Sequence, residues 1–210
     1  MILGDPPVLV NVVSRRYYLA MSTAGPSLLE LIERICNLAR SGLRTQSDSG
    51  QLQPVHLQAL AFLGRANRYS NTPQILSEYL GSTKGTVSQS LLLLHRRGLI
   101  EREADPHDRR VVRLRLSAEG RRQLATSGLE REWASALADL PREQIDSALQ
   151  VLAQALTNLQ RARGGRSFGV CRTCHQFRRE AGDRFRCGLT DEPLSSADTE
   201  KICREHEPRG

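Results

Sequence analysis

Apolar residues recur at intervals of three and four near both ends of the main body of the chain. Residues 26–40 form one such stripe, and residues 141–162 form a longer one whose steps alternate between four and three. This spacing is typical of amphipathic helices, and in the longer segment of a helix that pairs with another helix along a seam. The apolar positions of the longer stripe are Ile145, Leu149, Leu152, Leu156 and Leu159. We expect both segments to form a dimer interface; a core helix of a single bundle is the alternative.

Between these stripes the pattern predicts three further helices. Residues 54–66 are apolar enough for a buried helix. Residues 72–81 predict the next helix, since Thr72 is a suitable N-cap and Gly81 is a suitable end. A third helix is predicted to begin near residue 82 or 83 and to end at Gly98.

Two short segments that read as strands follow the third helix. Residues 99–103 and 111–116 are predicted to form these strands around the loop 104–109. In the second strand Val112, Leu114 and Leu116 face one way, and the residues between them face the other. Two short helices, a tight turn and a hairpin describe a winged helix-turn-helix. The predicted fold class is mainly α (α+β), with dimerisation helices flanking this unit.

The second helix of the helix-turn-helix has a polar face. Its apolar side is expected to pack on the preceding helix through Val87, Ser90, Leu91 and Leu94. The opposite side offers short hydrogen-bonding groups and cations, which suit a helix in the major groove of DNA. The residues that we predict to bind DNA from this helix are Ser82, Thr83, Lys84, Thr86, Ser88, Gln89 and Arg96. An ordinary solvated helix face is the alternative.

The hairpin carries its arginines at the tip, in the sequence DPHDRR (residues 105–110). A wing beside a recognition helix projects toward the neighbouring groove, and arginine suits the narrow minor groove, where the negative potential is strongest. A nearby aspartate can hold a guanidinium in place by a charge-assisted hydrogen bond. We therefore predict that Asp108, Arg109 and Arg110 form a DNA-binding wing tip; a solvated loop whose charges pair with one another is the alternative.

The chain resembles the MarR (multiple antibiotic resistance regulator) family at these residues. DPHDRRVVRLRLSAEG (residues 105–120) is similar to the wing signature of that family, and GTVSQSLLLLHRRGLIERE (residues 85–103) is similar to its recognition helix and first wing strand. The likeness covers roughly residues 26–162. It implies an obligate homodimer, a pseudo-palindromic operator, and repression that a small ligand or oxidation relieves.

The resemblance implies which residues contact DNA: some lie on the helix and face the major groove, and others lie at the tip of the wing. The matching positions are Thr86, Ser88, Gln89, Asp108, Arg109 and Arg110. Leu92 and Leu93 depart from the family pattern, because polar or charged residues are usual there. This departure bears on base readout from the middle of the helix rather than on the docking mode.

Composition agrees with an anionic partner and with one globular body plus an appendage. The 210 residues carry a formal net charge of +7, and 39% of them are hydrophobic. The longest apolar patch, residues 91–94, is too short to span a membrane, and residues 1–20 lack the apolar core of a signal peptide, so we expect a cytoplasmic protein. The predicted organisation is an N-terminal arm (1–25), a body (26–162, with dimerisation helices in 26–44 and 129–162 and the winged helix in 54–120) and a Cys-rich tail (166–210).

Four of the five cysteines lie in this Cys-rich tail, at spacings typical of metal ligands. The predicted ligands are Cys171, Cys174, Cys187 and Cys203, with His206 as an alternative that would leave Cys187 free. Four thiolates suit tetrahedral zinc and an iron–sulfur cluster equally; zinc is our first expectation and the cluster is the alternative. Because the tail is poor in apolar residues, we expect the metal to act as a staple for its fold.

These features together predict a homodimeric transcription regulator, not an enzyme, that binds double-stranded DNA. Its metal site would stabilise the protein or sense a signal, and a small molecule or a redox change would be its effector. Two alternatives use the tail instead: a thiol oxidoreductase built on the C-x-x-C pair, and a zinc-bearing adaptor for protein partners. The C-x-x-C pair follows no βαβ pattern, and an adaptor has no use for the wing.

Overall fold

The computed structural model of the protein describes residues 27–47, 52–106, 108–126, 129–162 and 164–209. Its helices are α1 (Leu28–Ser47), α2 (Pro54–Arg65), α3 (Pro73–Leu80), α4 (Lys84–Arg96), α5 (Ala118–Thr126), α6 (Leu129–Leu137), α7 (Arg142–Ala162) and α8 (Ser196–Thr199). Its strands are β1 (Ile100–Ala104), β2 (Val112–Leu116), β3 (Gly169–Val170), β4 (Phe177–Glu180), β5 (Arg184–Cys187), β6 (Pro193–Leu194) and β7 (Ile202–Cys203). The predicted arm, residues 1–25, lies outside the described residues.

Helices α2, α3 and α4 and the β1–β2 hairpin form the predicted winged helix-turn-helix, and local caps fix the helix ends. The Thr72 hydroxyl accepts a hydrogen bond from the backbone N–H of Ile75 (3.3 Å). Thr83 caps α4 in the same way, through the N–H of Thr86 (3.2 Å). Gly81 ends α3 at φ = 60°, in the left-handed region that favours glycine.

The hydrophobic core joins these three helices to the wing. Its largest fully buried side chains include Phe62, Leu60, Leu76, Leu94, Ile100 and Leu114. Strands β1 and β2 are antiparallel, with Ile100 opposite Leu116. The predicted alternation in β2 is confirmed, since Leu114 and Leu116 are buried. Helix α5 packs closely behind the wing: a Cβ atom on Gly120 would lie 2.0 Å from the carbonyl oxygen of Leu99, so only glycine fits there.

Helices α1, α6 and α7 carry apolar side chains that are exposed in the single chain. On α7 the exposed members of the predicted stripe are Leu149, Leu152, Leu156 and Leu159, and no described residue of this helix is buried. On α1 the exposed members are Leu28, Leu31, Ile35 and Leu38. The predicted dimerisation segment 129–162 contains two helices, because the chain turns between Leu137 and Arg142, around Pro141.

The Cys-rich tail packs against the winged helix. Ile202 is 5% exposed and belongs to the same core as the helices. The Phe168 ring stands edge-on to the rings of Phe62 and Tyr79, at centroid distances of 6.4 and 5.2 Å. The backbone N–H of Asn67 donates to the carbonyl oxygen of Ile202 (2.9 Å). The tail therefore shares the hydrophobic core of the winged helix.

In the part of the chain that the structure describes, none of the helices has the length and apolar character that crossing a membrane requires.

Candidate nucleic-acid interface

The outer face of α4 is polar and exposed, as its pattern predicts. Val87, Ser90, Leu91 and Leu94 are all buried on the inner face. The exposed positions among the predicted DNA-binding residues are Thr83, Lys84, Thr86, Ser88, Gln89 and Arg96. The hydroxyls of Thr83 and Thr86 are hydrogen-bonded to each other (2.9 Å), which orders the first turn of the helix.

Three residues near this face are less exposed than the residues that form it. Ser82 is only half-exposed, and its hydroxyl donates to the carbonyl oxygen of Leu80 (3.4 Å), so it supports the turn before α4. Leu92 and Leu93 are both half-buried, and Leu93 packs against the core. Leu92 and Leu93 therefore replace the polar residues that are usual in the family without making the outer face apolar. That face still presents Ser88 and Gln89.

The wing tip holds one arginine and leaves the other unpaired. The carboxylate of Asp108 accepts two bonds from the Arg110 guanidinium, from Nε and Nη2, both at 3.0 Å. These side-chain bonds lower the pKa of Asp108 and raise that of Arg110. Arg109 is exposed and has no hydrogen-bond or ion-pair partner among the described residues, so its guanidinium is available to an outside anion.

The loop of the wing is anchored to strand β2 by a second ion pair, whose arginine the sequence analysis did not identify. Asp105 is 7% exposed, and its carboxylate accepts a bond from Nε of Arg113 (2.6 Å). Nη1 of Arg113 also donates to the carbonyl oxygen of Arg68 (2.6 Å) and to Oδ1 of Asn71 (3.3 Å). Asn71 in turn donates to the carbonyl oxygen of Leu114 (3.1 Å). The loop between α2 and α3, residues 66–72, therefore fixes the direction of the wing.

The four tail cysteines line one small cavity of about 90 Å³, whose other walls include Phe177, Leu189 and Leu194. The Cys171 and Cys203 side chains are hydrogen-bonded to each other, which raises the pKa of Cys171 and lowers that of Cys203 to about 6. Across the described ranges, no three or more His, Cys, Asp or Glu side chains are already gathered as a ligand set around one point.

The alternative ligand His206 lies outside this cavity. Its Nε2 is hydrogen-bonded to the Thr173 hydroxyl (2.9 Å), and its ring lies where a Cβ atom on Gly169 would stand, 2.5 Å away. Burial lowers the pKa of His206, and its Nδ1 is buried with no hydrogen-bond partner among the described residues. His206 is therefore not among the residues that line the cavity, whereas all four tail cysteines are.

The capped helix pair, the exposed face of α4 and the arginine-tipped hairpin define a winged helix-turn-helix domain. Residues 51–111 match the MarR family. No curated protein matches the sequence.

Solved structures of MarR-type proteins have the same fold. S. aureus MepR, in a complex with DNA, is 19% identical with a TM-score of 0.54, over 64% of this chain and 99% of that chain. A MarR family transcriptional regulator from Silicibacter pomeroyi is 22% identical with a TM-score of 0.54, over 61% and 87%. A MarR family protein from Bacillus stearothermophilus is 25% identical with a TM-score of 0.51, over 62% and 93%. The predicted mixed α+β winged helix architecture is therefore confirmed.

Proposed function

We propose that the protein is a DNA-binding transcription regulator that acts as a homodimer on a pseudo-palindromic operator, and that it represses the genes it controls. The observation that carries this proposal is the pairing of two exposed surfaces on one rigid unit. The polar face of α4 presents Lys84, Ser88 and Gln89, and the wing beside it presents the exposed Arg109. MepR, which shares the fold, has been solved in a complex with DNA.

The two surfaces suit the two grooves of a duplex. Gln89 and Lys84 offer an amide and a cation that read base edges or bind phosphate in the major groove. Arg109 at the wing tip suits the minor groove, where a cation is drawn into the negative potential. The Asp105–Arg113 pair and the Asp108–Arg110 pair hold the wing in shape, so little order has to be gained when the tip binds.

The exposed leucines support the dimer. Leu149, Leu152 and Leu156 lie on one side of α7 and are between 43% and 60% exposed in the single chain. A patch of this kind on a soluble protein marks an interface. A second copy placed by a twofold axis would cover the patch and would set the two α4 helices about 34 Å apart, one turn of DNA.

A cavity of about 190 Å³ between α1 and α6 supports a small apolar effector. Ile35, Leu38 and Trp133 line it, and these residues belong to the helices that we assign to the dimer. A ligand in this place would touch the helices that set the spacing of the two DNA-reading units. Occupation of the cavity would therefore change operator affinity through that spacing.

The thiol oxidoreductase alternative is disfavoured by burial. A reactive C-x-x-C pair needs an accessible thiolate. Cys171 and Cys174 are only 8% and 7% exposed. Neither thiol of the motif is therefore accessible to a substrate disulfide.

Affinity for DNA is expected to depend steeply on salt, because cations on the α4 and wing surfaces displace counterions from phosphates. With about six to ten phosphate contacts per dimer, affinity should fall by about 1,000-fold or more between 50 and 200 mM salt. Fluorescence anisotropy with a labelled duplex taken from the upstream region of the protein's own gene measures this. A binding constant that stays level across the same range would contradict the proposal.

A further inference from the structure

The four cysteines of the tail come from three separate segments that meet at one cavity. Cys171 begins the short 3-10 helix Cys171–Thr173 and Cys174 follows it, Cys187 ends β5, and Cys203 lies on β7. All four line the same cavity of about 90 Å³. Three chain segments that each deliver a thiol to one small cavity indicate a ligand that holds them together.

Among its described residues, the tail has a small apolar core of its own. Its buried apolar side chains are Cys171, Cys174 and Ile202, and Ile202 belongs to the winged helix core. The β4–β5 hairpin adds the stacked rings of Phe177 and Phe185, both only half-buried. A module of this size with so small a core needs a staple, and a bound metal ion is one of the few available.

Two N–H groups are directed at the sulfur atoms. The backbone N–H of Glu207 donates to Sγ of Cys174 (3.4 Å), and Nδ2 of Asn67 donates to Sγ of Cys171 (3.8 Å). A neutral thiol is a weak acceptor, whereas a metal-bound thiolate is a charged one and is commonly supported by such outer hydrogen bonds. The donors are therefore placed where a thiolate site needs them.

We propose that Cys171, Cys174, Cys187 and Cys203 bind one zinc ion. Zinc takes four thiolates in a tetrahedron with Zn–S bonds of about 2.3 Å, which places the sulfurs about 3.8 Å apart. The cavity of about 90 Å³ that the four cysteines line suits a single ion better than the several iron and sulfide atoms of a cluster. The sulfurs would move closer together as the ion binds.

The zinc site supports the DNA-reading unit through the α2–α3 loop and through α3. Asn67 connects the loop to Cys171, and Ser70 accepts a hydrogen bond from the backbone N–H of Arg204 (2.9 Å), next to Cys203. The Arg204 guanidinium holds the carboxylate of Glu78 on α3 at 2.7 and 3.2 Å. Loss of zinc would therefore release both the anchor of the wing and the helix on which α4 packs.

Metal content tests the site directly on the full-length protein. Protein purified under reducing conditions should contain one zinc per chain by elemental analysis. Cys187→Ser should lose nearly all of it, whereas Cys36→Ser, which changes a thiol on α1, should retain it. If Cys187→Ser fails to fold, the wild-type protein loaded with cobalt still gives a test, because tetrahedral thiolate ligation produces intense charge-transfer and visible bands.

Three results would contradict the zinc site. A brown protein that contains iron and sulfide would show that the cysteines bind an iron–sulfur cluster. A metal-free protein with disulfides among the four cysteines would show that they bind no metal. Full zinc in Cys187→Ser would assign a different ligand set.

The role of the zinc site in stabilising the winged helix for DNA binding rests on the proposed function, and a separate experiment tests it. Zinc removal by a chelator should lower the affinity of the protein for a labelled duplex by about tenfold, and added zinc should restore it. If the affinity for DNA is unchanged after complete zinc removal, the zinc site does not support DNA binding, although the zinc site itself is not contradicted. Absence of DNA binding by the zinc-loaded protein would contradict the proposed function instead.

Discussion

Replacing Leu152 with glutamate is expected to convert the protein from a dimer to a monomer and to abolish tight DNA binding. Leu152 is 43% exposed in the single chain and lies in the middle of the α7 stripe. In a twofold helix pair its side chain would be covered, and an unpaired carboxylate there would cost several kcal/mol. A monomer binds only half of a symmetric operator, so affinity should fall by about 100-fold or more.

Analytical ultracentrifugation together with a DNA titration measures both parts of this result. Gln154→Glu is the matched control, because it adds the same charge on the opposite face of α7, where Gln154 is hydrogen-bonded to Asn158 (3.0 Å). The control should remain dimeric and bind DNA as the wild type does. A Leu152→Glu variant that sediments as a dimer would exclude α7 as the interface.

Replacing Arg109 with alanine is expected to weaken DNA binding by about 10- to 100-fold without changing stability. Arg109 is exposed and has no partner among the described residues, so its removal breaks no contact within the described protein. Its loss would remove one cation from the minor groove at each half-site of the dimer. Arg110→Ala should act in the same direction, with an additional effect on the loop, since Arg110 is held by Asp108.

The matched control for the wing is Arg142→Ala, which removes a cation from an exposed ion pair with Asp146 on α7. A gel-shift titration of both variants against the same duplex, with thermal unfolding of each protein, separates binding from stability. Equal affinities of Arg109→Ala and the wild type would exclude the wing tip from the interface. An equal loss in Arg142→Ala would show that only net charge matters.

The winged helix was predictable because local rules determine it. Thr72, Thr83 and Gly81 cap their helices through contacts a few residues away, and Val87 and Leu94 follow a helical period that only burial explains. Such signals are contained in short stretches of sequence. The same is true of the apolar alternation in β2 and of the stripe on α7.

The anchoring of the wing and of the tail was not predictable, because it depends on polar contacts over long sequence separations. Arg113 has the outward position of a solvated strand residue, yet it is held by the buried Asp105 and by the α2–α3 loop. Ile202 and Arg204 belong to a tail that is polar by composition, yet one enters the core and the other holds Glu78. No periodicity marks these partners.

The fold also distinguishes the positions of the two predicted ligand sets, which the sequence does not. The spacing of Cys203 and His206 is as typical of a metal ligand pair as that of Cys171 and Cys174. The short β7 strand places Cys203 in the shared cavity, whereas the His206 ring lies over Gly169 and is hydrogen-bonded to Thr173. Spacing alone does not determine on which side of a strand a ligand lies.

Selection of binding sites from a pool of genomic DNA fragments tests the central claim most directly. Full-length protein should enrich an inverted repeat whose half-site centres lie about 10 base pairs apart, since each copy would place one α4 in successive major grooves. The repeat should disappear from the selection with Leu152→Glu. Enrichment of no sequence, or of a single unrepeated site by the wild-type protein, would contradict the paired winged helix.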